Sequence, residues 1–498
     1  MTMTPHRLLR ATGAALGLNL LLVAAAFAQA APPPPLAPLA VAARNGTKVF
    51  TTEHRGTFNG RDVSYRATVA DTLIDLPAGQ QAATLYTISY VATNQGPSAT
   101  RPVVFVFNGG PGASSSILHF VGMGPKRLST VSADALGDTS VGLVDNPLCP
   151  LDAADIVFID PVDTGYSRTL PGTSPAPFHS IDGDSDSITQ LILNWLKRND
   201  RMASPKYVYG ESYGSMRAVA LARDLARSPD KVDIDGVILG GEAIPFGQRG
   251  RLPHPEHTAS HLPMMASVAW YHGRIDNKHQ SWEQAVQKAR EYARGEYVGA
   301  LMQGYRLDAA TRERVVRRLP ALIGIPERYF REHHTIVVED FNKDLLHDQG
   351  LVLDRNNGME TLPAAKFKTE DDTDFTAMLA GITKNFEAYA RTELGVSGLG
   401  DYLAITPSAM AVYYGWNFYT SGDRSLDATL SKAMKANPRL RVLVVQGRYD
   451  TLTELGETLV EGFFARASGD EQEPLLLARL CCHMRLAFSW SAELIRVL

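Results

Sequence analysis

Tyr207-Val208-Tyr209-Gly210-Glu211-Ser212-Tyr213-Gly214-Ser215-Met216-Arg217-Ala218-Val219-Ala220-Leu221-Ala222 reads as strand, sharp turn and helix, with a serine at the apex of the turn. The short apolar run suits a buried strand, and the alanine-rich run that follows suits a helix. A nucleophilic serine has to stand clear of the sheet. Glycines two residues before and two after Ser212 let strand and helix pass close beside it. Backbone N–H groups in the first turn of the helix can then face a developing oxyanion. Gly-x-Ser-x-Gly also arises by chance, so the rest of the chain has to agree with this reading.

Outward from this turn, Val103-Val104-Phe105-Val106-Phe107 is a continuous apolar run that predicts a buried parallel strand. It ends in Asn108-Gly109-Gly110-Pro111-Gly112-Ala113-Ser114-Ser115, where glycines allow backbone amides to approach a ligand. Short apolar runs recur at Ile156–Ile159, Gly236–Leu239 and Val442–Val445, and Leu475–Leu480 is a last strand. Helical patterns at Ser187–Lys197 and Met216–Ala226 separate several of them. This alternation predicts an α/β fold with a doubly wound, mostly parallel sheet. Upstream, Thr84–Val91 alternates apolar and polar residues and predicts an antiparallel edge strand with one wet face.

Residues 246–435 break the rhythm. Charged helical patterns run over Trp282–Leu301 and Ala309–Arg318, after Pro245 and Pro253-His254-Pro255. A core-like strand returns at Val442. That return predicts a mainly helical cap inserted into one core, rather than a tandem domain. The expected organisation is a signal peptide over 1–30, an alanine- and proline-rich tether over 31–43, core over 44–245, cap over 246–435, and core again over 436–498.

The signal peptide rests on Arg7 and Arg10, an uncharged apolar stretch from Ala14 to Phe27, and the small-x-small site Ala28-Gln29-Ala30. The apolar stretch is short for a span. An exported protein, periplasmic or extracellular, with no stable membrane span after cleavage is therefore expected. The net charge of −4 offers no basic surface for nucleic acid. Cys149, Cys481 and Cys482 are an odd set, so at least one thiol stays unpaired within the chain. No His-Glu-x-x-His or other metal-ligand spacing occurs, and no cofactor is expected.

Taken together, Asn108-Gly109-Gly110-Pro111-Gly112-x-Ser114-Ser115 and Gly210-Glu211-Ser212-Tyr213-Gly214 resemble the serine carboxypeptidases, a branch of the α/β-hydrolases. The resemblance extends through Gly122-Met123-Gly124-Pro125, Asp145-Asn146-Pro147 and Ala154–Ser167. It covers residues 50–245 well and residues 436–485 more thinly. It implies an acyl-enzyme mechanism in which the acid and then the histidine follow the serine. Asp450, at the end of the strand-like Leu440–Val445 in a Gly-x-x-Asp pattern, is the expected acid; an ordinary turn aspartate is the plain alternative. His483 is the expected base. His119 and His179 lie near core motifs, but both precede the serine.

The resemblance further assigns the substrate's C-terminal carboxylate to Asn108, Gly109 and Glu211, and the oxyanion hole to Gly110 and Tyr213. Two carboxyl groups in contact cannot both stay ionised at small cost, so one must hold a proton, which favours activity at acidic pH. Two departures stand out. Cys481-Cys482-His483-Met484 replaces the family's usual Gly-His-Met, and Gly122 occupies a position where many members carry a further glutamate. The expected function is a secreted serine-type carboxypeptidase acting on peptides with a free C-terminus. Its rivals are an esterase or acyltransferase on the same scaffold, or a non-catalytic binding protein with a degraded C-terminal site.

Overall fold

Apolar residues at both odd and even positions of a short strand call for cover on both faces, and the central strands have it. The strands of the main sheet are β1 (Val49–Phe58), β2 (Arg61–Asp75), β3 (Gln81–Ala92), β4 (Val103–Phe107), β5 (Asp155–Asp160), β6 (Arg168–Thr169), β7 (Lys206–Glu211), β8 (Gly236–Gly240), β9 (Arg441–Gly447) and β10 (Leu475–Leu480). They form one sheet in the order β1-β2-β3-β5-β4-β7-β8-β9-β10, with β6 pairing β3. The first three strands and the β3–β5 pair are antiparallel. From β5 to β10 every pairing is parallel. The computed structural model describes residues 48–76, 79–129, 141–244, 255–333, 335, 337–354, 357–366, 375–406, 412–413, 415–420, 425–451 and 475–480. The expected signal peptide and tether lie outside the described residues, as do Cys481, Cys482 and His483.

One face of the sheet, with Val103, Phe105, Phe107, Val157 and Val208, packs on helices α1 (Ile181–Arg198), α2 (Tyr213–Arg227) and α7 (Leu426–Ala436). The other, with Val104, Val106, Phe158 and Tyr209, packs on α6 (Phe375–Thr392) through Ile382, Phe386 and Tyr389. The sheet is therefore doubly wound. α1 shows local sequence logic. Ser180 Oγ caps it by accepting from Gly183 N at 3.0 Å, Asp182 and Asp184 fill the first turn, and Lys197 and Arg198 the last.

Residues 241–440 separate the neighbouring strands β8 and β9. Part of this stretch has its own hydrophobic core, built from α3 (Leu262–Tyr271), α4 (Trp282–Tyr292) and α5 (Ala309–Ile323). The rest, through α6 and α7, returns to the two faces of the sheet. Among the described residues no helix is long and apolar enough to cross a membrane.

The expected edge strand Thr84–Val91 is not an edge. β3 lies between β2 and β5, and nearly all of it is buried. Its polar residues are small enough to be satisfied inside: Thr87 Oγ1 donates to Ala70 O at 3.4 Å and Ser89 Oγ to Thr68 O at 3.3 Å. The edge is β1, whose residues alternate between exposed and half-buried.

In the segment following the glycine-rich loop lies His119, fully buried and stacked 4.3 Å from the Phe158 ring. Its Nε2 shares a 2.8 Å hydrogen bond with Tyr90 Oη, which also meets Tyr389 Oη at 3.0 Å. Burial lowers its pKa from 6.5 to about 3. A depressed histidine contributes stability that is complete above its unfolded pKa and lost as pH falls toward the folded one. At pH 5 the loss is about 2 kcal/mol relative to neutral pH. His119→Phe leaves the tyrosine pair bonded. Its urea midpoint is expected to fall less between neutral pH and about pH 5 than that of the parent, and an equal fall would refute this.

Candidate active site

The expected nucleophile sits where β7 meets α2. Ser212 has φ 57° and ψ −125°, and α2 begins at the next residue. This strained backbone holds the side chain clear of both elements. Ser212 N donates to Gly240 O at 2.8 Å, and Ser215 Oγ donates to Ser212 O at 2.7 Å while accepting from Ala243 N at 3.0 Å. The turn is thus tied to the end of β8. Gly210 is required by close approach: a Cβ there would stand 1.9 Å from Gly214 O.

The glycine-rich loop is pressed against this turn. A Cβ on Gly109 would lie 2.5 Å from Glu211 O and 2.6 Å from Tyr213 N, so only glycine fits. Asn108 is buried, and its Nδ2 donates to Glu211 Oε2 at 2.7 Å. Its Oδ1 accepts from Leu118 N at 3.0 Å. Register explains the meeting, since Phe107 of β4 pairs with Gly210 of β7, so the next residue on each strand faces the other. Asn108, Gly109, Glu211, Ser212 and Tyr213 are therefore together, with Gly110 following directly at φ 102°. Gly122 is buried, and its carbonyl accepts from Asn146 Nδ2 at 2.8 Å.

Asp450 follows the end of β9, two strands from β7 and at the same, C-terminal, edge of the sheet. It is fully buried, and Gln446 Nε2 donates to its Oδ2 at 3.3 Å. Gly241 N donates to Val445 O at 2.8 Å, which joins the ends of β8 and β9. Ligands of parallel α/β sheets bind at this edge. His483 lies outside the described residues; β10, which precedes it in the chain, pairs Leu480 with Gly447.

Several supporting residues escaped the sequence reading. Arg217 is buried on α2. Its Nη1 donates to Asn108 O at 2.6 Å and its Nε to Asp184 Oδ2 at 2.7 Å. Asp184 also accepts from Tyr213 Oη at 2.9 Å. The ion pair thereby pins the loop to the helix behind it. Arg217 was detectable as the one charge in an otherwise uncharged first half of a helix. Asp160, at the end of β5, accepts from both Ser115 N, at 2.9 Å, and Ser115 Oγ, at 2.7 Å, and its burial raises its carboxyl pKa. The stretch 402–406, expected in the cap, crosses this edge: Ser114 N donates to Ala404 O at 2.9 Å and Thr406 N to Gly112 O at 2.8 Å. Among the described residues no group of His, Cys, Asp and Glu is placed to hold a metal.

Comparison with known proteins gives the family and the fold. The family model described as serine carboxypeptidase matches residues 78–459. Among curated relatives, Serine carboxypeptidase-like 36 of Arabidopsis thaliana is 27% identical over 190 residues, 37% of this chain and 36% of that protein. Carboxypeptidase Y homolog A of Fusarium vanettenii is 26% identical over 141 residues, 28% of this chain and 24% of that one. The chain spans about a third of the length of the first curated relatives it matches. Among solved structures, Kex1(delta)p, a prohormone-processing carboxypeptidase from Saccharomyces cerevisiae, superposes with a TM-score of 0.54 at 13% identity, covering 86% of this chain and 91% of that one. The fold is thus that of the α/β-hydrolases. With the family match running over most of its length, the chain belongs to the serine carboxypeptidase family.

Proposed function

We propose that the protein is a serine-type carboxypeptidase that releases the last residue of peptides with a free C-terminus. Ser212 Oγ attacks the carbonyl carbon of the terminal peptide bond, and His483 takes its proton. Asp450 orients the imidazole and stabilises the imidazolium. Gly110 N–H and Tyr213 N–H receive the oxyanion. His483 then protonates the leaving amino acid, and water releases the acyl-enzyme. Asn108, Gly109 and Glu211 hold the substrate's terminal carboxylate. The cap, residues 246–435, sets side-chain preference, and the protein works after export, in the periplasm or outside the cell.

The observation that supports this reading most directly is the 2.7 Å bond from Asn108 Nδ2 to Glu211 Oε2, one residue before a serine at φ 57°. It presents an amide donor and a carboxyl group side by side next to the nucleophile. The test compares an N-blocked dipeptide with its C-terminal amide. The acid is expected to react about 100-fold faster in kcat/KM, the ~3 kcal/mol of a hydrogen-bonded charged group. Release should fall as pH rises over about pH 4 to 8, because the pair of carboxyl groups must share a proton. Equal rates for acid and amide would favour the esterase or acyltransferase reading, which the backbone-only Gly122 supports.

A further inference from the structure

Asp450 stands in a loop whose neighbours are bonded to the helical segment. Ser267 on α3 is fully buried. Its Oγ donates to Arg448 O at 2.6 Å and accepts from Trp282 Nε1 on α4 at 2.7 Å. The Arg448 guanidinium lies 4.3 Å over the Trp282 ring. On the next residue, Tyr449 O accepts from Gly358 N at 2.7 Å, and its ring packs 5.3 Å from Tyr271. Beyond the carboxylate, Thr451 Oγ1 donates to Asp354 O at 3.3 Å and accepts from Asn342 Nδ2 at 3.4 Å. From the sheet side, Asp450 N reaches Gly447 O at 3.4 Å and Gln446 Nε2 reaches the carboxylate at 3.3 Å.

We propose that Ser267 is a positioning residue for catalysis, which fixes the place of Asp450 by holding the Arg448 carbonyl. The inference rests on Asp450 being the acid of the relay. Ser267 touches neither substrate nor the reacting atoms. From α3, its single hydroxyl joins α4 to the acid loop, accepting from Trp282 Nε1 and donating to Arg448 O. The bond from Trp282 is buried and the one to Arg448 part-buried, so losing the hydroxyl leaves Arg448 O and Trp282 Nε1 without this partner. The acid loop is then free to shift, and a displacement of about 1 Å at a catalytic group costs up to ~100-fold in rate. The helical segment would thus govern chemistry as well as access.

The test uses the full chain with Ser267→Ala, Trp282→Phe and Asp450→Asn. Trp282→Phe keeps a ring beneath Arg448 and removes the indole donor at the cost of some ring volume, so it serves if Ser267→Ala does not fold. Steady-state hydrolysis of a blocked dipeptide is measured beside amide hydrogen exchange over residues 447–451. Ser267→Ala is expected to lower kcat by about 10- to 100-fold with KM within about twofold. Exchange should quicken at 447–451 and stay unchanged at 210–214. Trp282→Phe should show a smaller loss in the same direction. Parent-like kcat or unchanged exchange in both variants, with Asp450→Asn inactive, would overturn the inference alone. Parent-like kcat in Asp450→Asn would overturn the assignment of the acid, and this inference with it.

Discussion

Ser212→Ala is expected to lower kcat by about 10⁶-fold while leaving the fold intact. The hydroxyl is the only group lost, and the contacts that hold the turn belong to the main chain: Ser212 N to Gly240 O, and Ser212 O to Ser215 Oγ. Alanine keeps both. It also keeps the strain of φ 57°, so the variant's melting temperature should match the parent's. Ser212→Gly should abolish activity equally yet melt higher, because glycine adopts that backbone freely. What activity remains would come from the oxyanion donors and substrate binding alone. The measurement is amino-acid release together with loss of fluorophosphonate labelling. Retained labelling at another serine with retained release would displace Ser212 from its role.

The second large effect concerns stability and lies at the opposite edge of the sheet. Asp155, at the start of β5, is fully buried between two buried arginines. Its Oδ1 accepts from Arg101 Nε and from Ala92 N, both at 2.9 Å, and its Oδ2 from Arg201 Nη1 at 2.6 Å. Arg201 Nη2 continues to Arg101 O at 2.6 Å, and its Nε to Ser204 Oγ at 2.7 Å. One carboxylate thus closes the approaches to β4, β5 and β7. Removing it leaves two buried guanidinium groups without their countercharge. Asp155→Ala is expected to cost at least about 3–5 kcal/mol, read as a lowered urea midpoint. Whatever fraction stays folded should label at Ser212 at the parent's rate, since the change is at the far end of the strands. A loss under about 1 kcal/mol, the worth of an exposed pair, would refute the reading.

Much of the core could be read directly because its signals are local. The runs at Val103, Ile156, Tyr207, Gly236 and Val442 became strands because a sheet covered on both faces demands continuous apolar residues. Ser212 was legible for a similar reason, since glycines that let a strand and a helix cross must be near in sequence. How the supports of the site pair with one another was hidden. Arg217 with Asp184, Asp160 with Ser115, and Ser267 with Arg448 are each pairs brought together only by the fold, and no spacing announces them. β3 misled because alternating threonine and serine imitate a wet face, although their hydroxyls can be satisfied by carbonyls of the neighbouring strand. The departure before His483 concerns residues outside those described, so the base stands as a proposal from chain order.

The pairing of β8 with β9 across residues 241–440 also has a consequence in time. At about 5–20 residues per second, synthesis reaches Asp450 on the order of 10–50 s after Ser212. The strand carrying the acid must then find its place by closing a very long loop, a slow, non-local step. Through that interval a nascent chain carries its serine turn without the proposed acid. Assembled in this order, the proposed carboxypeptidase would stay silent toward its neighbours until its last strands dock.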